Sequence, residues 1–299
     1  MSIELPPAWV DRISALPAEG GPPGERWLAV LPRVLAEVLE QWGLSVSGQP
    51  WTGHTAIALP VERDGLPLVV KVGWPHRDSA AEHLALRHWA GRGAVTLVAA
   101  DPSRGALLLE RLDPDHSLAD ADDVDAACVV AGELMSRLHV PAPPTIPVLA
   151  DWVADQLPGL QASATVPRRI VARTCDLARD LTADASTGKL LHGDLHFGNI
   201  LAGTREPWLA IDPKPLAGHP GFELNALLRN RVDELRAHGS FRYAVRRRLD
   251  IVAEAAGIDP TEARLWTMVH TGIQIGWQAT AGHRDGQSLQ IALFKALQD

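Results

Sequence analysis

The sequence has little of what stabilises small secreted proteins or builds membrane proteins. It contains two cysteines, Cys128 and Cys175, which is too few for a disulfide framework or a zinc cluster. Its N-terminus has neither a basic segment nor an apolar run, which argues against a secretory signal. The uncharged stretch 265–283 contains histidine, glutamine, glycine and threonine and is too polar to span a bilayer. These absences predict a cytoplasmic protein with no membrane partner.

Positive charge is also scarce. Lys and Arg number 28 against 36 Asp and Glu, which gives a formal net charge of −8. Because binding to nucleic acid needs a basic footprint, we expect no nucleic-acid partner. An acidic protein suits a polar or cationic small molecule, although surplus acid also serves solubility alone. The 46% of hydrophobic residues is typical of a globular protein, and 299 residues are enough for two domains.

Hydrophobic patterning changes near Leu112. The first part combines helices predicted at 25–42 and 79–91 with strands predicted at 56–61, 66–72, 95–99 and 106–112. The second part is mainly helical, with helices predicted at 122–139, 149–157, 167–184, 221–238, 241–256 and 260–280 and short strands at 189–192, 199–202 and 208–211. Residues 1–24 are rich in proline and glycine, and we expect them to begin irregularly. The sequence therefore predicts an α+β protein with an antiparallel-sheet domain, 1–112, and a larger helical domain, 113–299.

The densest cluster of polar residues lies between two short predicted strands. Asp194 is followed five residues later by Asn199, and Asp212 comes directly after the next apolar run. Phosphoryl transfer needs a carboxylate that orients the attacking hydroxyl and oxygen ligands that hold Mg²⁺ on the nucleotide phosphates. Asp194 suits the first role, and Asn199 with Asp212 suits the second. The alternative is that each of the three is an ordinary turn or capping residue.

Lys71 is an independent indication of the same chemistry. It lies inside the predicted strand 66–72, where a buried lysine needs a partner. Glu82 follows eleven residues later in the next predicted helix. A strand lysine paired with a helix glutamate is how kinases hold the nucleotide phosphates. The alternative is an edge-strand lysine that discourages aggregation.

A metallohydrolase is a second interpretation of the polar cluster. His192, Asp194 and His196 alternate along the chain, so on a strand they would share one face. Zinc prefers nitrogen-rich ligand sets of this kind. This interpretation gives no role to Lys71 or Asn199.

Longer motifs extend over both predicted domains. They are LLLERL at 107–112, VPAPP at 140–144, the loop 192–199, REPWLAIDPKP at 205–215, GHPGFE at 218–223 and VRRRLD at 245–250. On these motifs the chain resembles the aminoglycoside/hydroxyurea phosphotransferases, above all the streptomycin 6-phosphotransferases, a branch of the protein-kinase-like antibiotic kinases. The resemblance implies a two-lobe fold with a small sheet-containing lobe and a larger helical lobe.

The resemblance also implies a reaction and its site residues. ATP, with GTP as an alternative, would phosphorylate a hydroxyl group in the presence of Mg²⁺. Asp194 would be the catalytic base, Asn199 and Asp212 the metal ligands, and Lys71 with Glu82 the pair that anchors the phosphates.

Two further segments would contact the nucleotide on the same resemblance. Backbone groups of 110–113, including those of Glu110 and Leu112, would touch the adenine. The segment 47–55 would cover the phosphates, with Gly53 as the contact, although it departs from a full G-x-G-x-x-G pattern.

The acceptor is less sharply defined. Streptomycin or another aminoglycoside is the first candidate acceptor, which would make the protein a resistance enzyme. Hydroxyurea, an endogenous sugar or another metabolite is the alternative acceptor. A third possibility is a protein that binds these ligands without catalysis. The candidate substrate residues are Glu223, Asn225, His270 and Trp277. Glu223 could equally be a first-turn helix glutamate. His270 and Trp277 belong to a helical stripe with Trp266 and Ile273 that could equally face the core.

Overall fold

The computed structural model describes residues 5–19, 21–183 and 188–298, and the structural statements below concern these residues. The chain packs as two compact units, Met1–Asp113 and Pro114–Asp299. The division lies one residue beyond Leu112, where the hydrophobic pattern of the sequence changes. No helix in the described part of the chain is both long and apolar enough to cross a membrane.

The first unit contains an antiparallel sheet and three α-helices among its described residues. The helices are α1 (Pro7–Ser14), α2 (Gly24–Gln41) and α3 (Glu82–Trp89). The strands are β1 (Ser45–Val46), β2 (Trp51–Thr52), β3 (Ala56–Arg63), β4 (Leu66–Gly73), β5 (Leu97–Asp101) and β6 (Ala106–Glu110). The sheet has the order β1-β3-β4-β6-β5, and β2 also pairs with β3.

The hairpin β3–β4 sets the register of this sheet. Asp64 and Gly65, both with positive φ, form its two-residue turn, the geometry that matches the twist of the flanking strands. Lys71 lies opposite Ala58 on one side and opposite Leu107 on the other. Because neighbours along a strand point to opposite faces, Lys71 lies on the face opposite the buried valines on either side of it. Those valines join the core formed with α1 and α2.

Helix α1 falls in the segment that was expected to be irregular, so that expectation is wrong for residues 7–14. Pro7 occupies the first helical position, where its missing N–H costs nothing. Trp9 and Ile13, four residues apart, are both buried. Trp9 meets Trp27 of α2 edge to face, with ring centroids 6.2 Å apart. Burial of this one face therefore stabilises a helix too short to be stable alone.

The second unit is mainly helical. Its helices are α4 (Val124–Leu138), α5 (Leu149–Ala162), α6 (Arg168–Thr182), α7 (Asn225–Leu228), α8 (Val232–Ala237), α9 (Phe241–Ala256), α10 (Pro260–Thr280) and α11 (Arg284–Leu297). Its short strands are β7 (Asp113–Ser117), β8 (Lys189–Leu191), β9 (Ile200–Ala202), β10 (Trp208–Ala210) and β11 (Leu216–Gly218). Two small sheets result, β10-β9-β7 and β11-β8. Helix α10 packs against α5, α6 and α11, closely enough that a Cβ at Gly272 would lie 2.1 Å from the Thr174 hydroxyl.

The single helix expected at 221–238 is wrong. The segment instead forms a 3₁₀ turn, α7 and α8, and it breaks at Arg231, whose φ is +50°. The buried Arg248 of α9 explains the break, since its guanidinium donates to the carbonyls of Leu227, Asn230 and Arg231. A helix that ends early leaves carbonyls without partners, and this side chain satisfies them.

Candidate active site

Lys71 and Glu82 are brought together in the first unit. The Lys71 ammonium donates to Oε1 of Glu82 at 2.6 Å, and the two side chains are only 14% and 7% exposed. Glu82 is the first residue of α3, where the helix dipole favours a carboxylate. The ion pair holds the Lys71 ammonium group on the sheet face opposite the core. A phosphate-anchoring lysine needs such a fixed position.

The segment expected to cover the nucleotide is a tight hairpin. Strands β2 and β3 are joined at Gly53, whose N–H donates to the carbonyl of Ala56 at 2.8 Å. The turn residues are therefore His54 and Thr55. The sheet register places Trp51 of β2 opposite Ala58, the same residue that lies opposite Lys71. The hairpin tip thus extends just beyond the row of residues that carries Lys71.

Glu110 and Leu112 lie where β6 ends. The Glu110 carboxylate accepts the N–H of Thr96 at 2.9 Å, and its own N–H donates to the Thr96 carbonyl at 3.0 Å. The side chain of Leu112 is buried. The Glu110 side chain is therefore bonded within the first unit, and contact of the backbone at 110–113 with a nucleotide stays a prediction.

In the second unit, the loop after β8 is shaped by Gly193 and His192. Gly193 has φ +79°, and a Cβ there would lie 2.0 Å from the carbonyl oxygen of Lys214, so only glycine fits. The buried His192 ring bonds the Ile211 carbonyl through Nε2 at 2.9 Å and accepts the Asp194 N–H at Nδ1. Because a carbonyl can only accept, Nε2 carries the proton. Burial lowers the pKa of His192, which keeps this bracing ring neutral.

Asp194 lies between two cations. Its Oδ2 accepts from the Lys214 ammonium at 2.5 Å, and its Oδ1 accepts from the Arg229 guanidinium. Burial alone would raise the pKa of Asp194, but the charges of Lys214 and Arg229 outweigh burial and hold the pKa below its ordinary value. Asp194 is therefore an ionised carboxylate. It is suited to accepting a hydrogen bond from a hydroxyl and is a weak base until that hydroxyl begins to react.

Asn199 and Asp212 belong to one hairpin. Strands β9 and β10 pair in register, and the Ile211 N–H donates to the Asn199 carbonyl at 2.9 Å, so Asp212 directly follows the residue opposite Asn199. The Asn199 amide nitrogen donates to the Asp194 carbonyl at 2.9 Å, which leaves Oδ1 as the remaining polar atom of that side chain. Asp212 has φ +57°, a left-handed backbone conformation that costs free energy in a residue other than glycine. One amide and one carboxylate oxygen fit Mg²⁺, which favours hard oxygen ligands.

The metallohydrolase interpretation finds no support in the site. Both His192 nitrogens are engaged by backbone groups, and Nδ1 of His196 accepts the Gly198 N–H at 3.1 Å. Within the described ranges, no three His, Cys, Asp or Glu residues are placed to hold a metal ion.

Glu223 is buried beneath the loop that carries Asp194. Its carboxylate, 0% exposed, accepts the Gly193 N–H at 2.7 Å and bonds Nε2 of His139 at 2.5 Å. Burial would raise the pKa of Glu223, but the hydrogen bond and charge of His139 outweigh burial and lower it. Glu223 therefore braces the loop that carries Asp194, and its contact with an acceptor stays a prediction.

The other expected acceptor residues divide between core and surface. Asn225 is fully buried and donates to Thr271 and Gln290. His270 is buried and stacks on Phe222 with ring centroids 4.1 Å apart, and burial lowers its pKa to about 4. Both side chains are buried within the second unit, and Oδ1 of Asn225 has no hydrogen-bond partner there. Their contact with an acceptor stays a prediction.

Trp277 is the member of that helical stripe that reaches the surface. It is 38% exposed and donates from Nε1 to Gln156 at 2.9 Å. Its ring lies edge to face with Trp152, at 5.6 Å. Trp277 therefore remains a candidate for contact with an acceptor.

Sequence reasoning missed three members of the site: Lys214, Arg229 and His139. The segment Pro213-Lys214-Pro215 directly follows Asp212. The two prolines restrict the backbone at Lys214, and this restriction was a usable signal that the lysine belongs to the site. Arg229 and His139 meet Asp194 and Glu223 only through the tertiary fold, 35 and 84 residues apart in sequence.

Comparison with known proteins gives these observations a context. A model of the family described as aminoglycoside/hydroxyurea antibiotic resistance kinase matches residues 41–282. The chain is 39% identical over 284 residues to streptomycin 6-kinase of Streptomyces glaucescens, covering 93% of this chain and 92% of that protein. It is 40% identical over 309 residues to hydroxyurea phosphotransferase of Kitasatospora aureofaciens, covering 97% and 88%.

A solved structure shares the fold. It is a thermostable mutant of aminoglycoside phosphotransferase APH(4)-Ia in a ternary complex with ADP and hygromycin B, and it matches with a TM-score of 0.61 at 15% identity. The match covers 88% of this chain and 97% of that one. At this identity the likeness shows the fold alone, the α+β fold of two-lobe, protein-kinase-like enzymes. The family match and the sequence identities go further: the chain belongs to the aminoglycoside/hydroxyurea antibiotic resistance kinase family and is a phosphotransferase acting on a hydroxyl group of a small molecule.

Proposed function

We propose that the protein transfers the γ-phosphoryl group of ATP, with Mg²⁺, to a hydroxyl group of an aminoglycoside antibiotic, with streptomycin as the first candidate. The observation that carries the proposal is the setting of Asp194, an ionised carboxylate held by Lys214 and Arg229. Such a group orients an attacking hydroxyl without competing for its proton in the resting enzyme.

Each step on the protein side has a residue to perform it. Asp194 accepts the hydrogen bond of the acceptor hydroxyl and takes its proton as the new P–O bond forms and the bond to the leaving nucleoside diphosphate breaks. Lys214 and Arg229 keep the Asp194 carboxylate oriented. Lys71, positioned by Glu82, neutralises charge on the phosphates.

Asn199 and Asp212 would hold the metal ion through their side-chain oxygens. When bound, Mg²⁺ would offset the charge of the phosphate oxygens during transfer. The solved structural relative described above contains ADP, which supports a nucleotide site in this fold.

Two features favour an aminoglycoside as acceptor. The chain is 39% identical to a streptomycin 6-kinase, and its net charge of −8 suits a cationic sugar. Hydroxyurea is the second candidate, because the chain is 40% identical to a hydroxyurea phosphotransferase.

The proposal is tested by ADP release with Mg·ATP and a panel of streptomycin, other aminoglycosides, hydroxyurea and simple amino sugars. We expect rapid ADP release with streptomycin. Release only with hydroxyurea or another acceptor would preserve the chemistry and change the substrate. Release independent of any acceptor, or none with the whole panel, would contradict the proposal.

Replacing Lys71 by methionine should raise KM for ATP and lower kcat/KM for ATP about 10- to 100-fold, the cost of one hydrogen bond to a charged group. KM for the acceptor should change little, because the anchoring pair acts on the nucleotide. Lys295→Met removes an exposed lysine on α11 and serves as the control. Equal kinetics in the two variants would exclude the phosphate-anchoring role of Lys71.

A further inference from the structure

We propose that helix α1 sets nucleotide affinity by fixing the tip of the β2–β3 hairpin through Trp9 and Arg12. The inference rests on the proposed function, in which this hairpin covers the nucleotide phosphates. Helix α1 lies outside residues 41–282, the part matched by the family model.

Three hydrogen bonds connect α1 to the hairpin tip. The Gly53 carbonyl accepts from Nε1 of Trp9 and from Nη2 of Arg12, each at 2.9 Å. The same Arg12 nitrogen also donates to the His54 carbonyl at 3.1 Å. Because Trp9 and Arg12 are three residues apart, they lie on one side of the helix. One helical turn thus holds two consecutive peptide carbonyls.

The tip is also held from the other end of the turn. The Thr55 carbonyl accepts the N–H of Trp74 at 2.8 Å, and the Thr55 hydroxyl bonds Nε2 of His76 at 3.3 Å. The carbonyls of Gly53, His54 and Thr55 are therefore all directed at protein donors. A hairpin tip held by three carbonyls in a row has one orientation, whereas an isolated tip would be mobile.

This arrangement fixes where the amides of the tip point. In a planar trans peptide, the C=O of one residue and the N–H of the next point in opposite directions. Carbonyls held against α1 therefore turn the N–H groups of His54 and Thr55 away from α1. Helix α1 packs into the core on one face of the sheet, and Lys71 lies on the opposite face. Successive backbone N–H groups in a turn are well suited to contact phosphate oxygens.

The two side chains allow a clean test. Arg12 is exposed, so Arg12→Ala removes two hydrogen bonds with little loss of packing. Trp9 is buried against Trp27, so Trp9→Phe keeps an aromatic ring there while removing the N–H donor and part of the buried ring. Arg26→Ala is the matched control: Arg26 is exposed on α2, and the described residues give it no hydrogen bond or ion pair.

Steady-state kinetics, nucleotide binding by calorimetry without acceptor, and Tm should be measured on the four proteins and on Arg12→Lys. We expect Arg12→Ala and Trp9→Phe each to raise KM and Kd for Mg·ATP about threefold to tenfold, the range for loss of one or two hydrogen bonds. The acceptor KM should stay within about twofold, and Arg12→Lys should recover part of the affinity. Arg26→Ala should behave as the unaltered protein.

The outcomes distinguish failure of the role of α1 from failure of the proposed function. If the unaltered protein transfers phosphate while both variants keep its nucleotide KM, the role of α1 is excluded and the proposed function remains. If Tm falls, and if kcat and the kcat/KM values for nucleotide and for acceptor fall by similar factors, α1 has only a structural role. That result also overturns the inference. If the unaltered protein binds no nucleotide, the proposed function is wrong and the inference fails with it.

Discussion

Asp194→Asn is expected to lower kcat about 10³- to 10⁴-fold, in line with the loss of a general base that also orients the nucleophile. The amide has nearly the shape of the carboxylate, but it cannot take the proton of the acceptor hydroxyl. It also leaves Lys214 and Arg229 without the anion they share. The affinity for nucleotide should stay within about threefold, because the Asp194 carboxylate acts on the acceptor hydroxyl and not on the nucleotide.

Coupled ADP-release kinetics and calorimetry with ATP measure the two parts of this prediction. Asp176→Asn is the control, since Asp176 pairs with Arg179 in an exposed ion pair 3.2 Å long. A kcat above one tenth of the normal value in Asp194→Asn would exclude Asp194 as the catalytic base.

Glu223→Ala is expected to lower the free energy of unfolding by about 2 to 3 kcal/mol, because it leaves buried hydrogen-bond partners unsatisfied. It leaves the Gly193 N–H and the His139 ring beneath the active-site loop without their acceptor. Glu223→Gln keeps an oxygen for Gly193 and should be milder. Both variants should also lose kcat, because Gly193 directly precedes Asp194.

Urea unfolding at neutral pH gives the stability, and the chain offers a matched control. Glu262 pairs with His219 at 3.1 Å but is 56% exposed. Glu262→Ala should cost about 1 kcal/mol or less, as exposed pairs do. An equal loss in both alanine variants would show that burial of the His139–Glu223 pair is unimportant.

The burial and pairing of Glu223 also predict how the stability of the protein depends on pH. The pKa of Glu223 is lowered from its ordinary value of 4.5 in the folded state, because the hydrogen bond and charge of His139 outweigh the opposing effect of burial. Its contribution to stability is therefore complete above pH 4.5 and is lost as the pH falls through the folded pKa. The stability difference between the unaltered protein and Glu223→Gln should shrink over that acidic range. A constant difference down to the lowest pH at which both proteins fold would contradict the ionised state of Glu223.

The sequence predicted those side-chain pairs whose two elements each have a clear hydrophobic pattern of their own. The strand containing Lys71 and the helix beginning near Glu82 each have their own hydrophobic pattern, so their pairing followed from known kinase chemistry. The partners of Asp194 did not follow, because Lys214 and Arg229 reach it from 20 and 35 residues away. Hydrophobic periodicity reports which face of an element is buried, and it carries no information on such convergence of polar side chains.

The segment 221–238 and the residue Glu223 show tertiary contacts overriding local pattern. The apolar spacing at 221–238 favours one helix, but the buried Arg248 takes the carbonyls at its interruption and ends α7 early. Glutamate in a first turn is ordinarily exposed, yet Glu223 is buried against Gly193 and His139. In both cases one long polar side chain from another element decides the local structure.

The central claim is that Asp194 directs a phosphoryl group from ATP to a hydroxyl of a small-molecule acceptor. The most direct test is ³¹P NMR of reactions containing Mg·ATP with streptomycin or with hydroxyurea, run with the unaltered protein and with Asp194→Asn. The account predicts a phosphate ester on the acceptor, most readily on streptomycin, in equal amount to the ADP formed, and no such signal with Asp194→Asn. Inorganic phosphate with an unmodified acceptor, or an equal ester signal from Asp194→Asn, would contradict it.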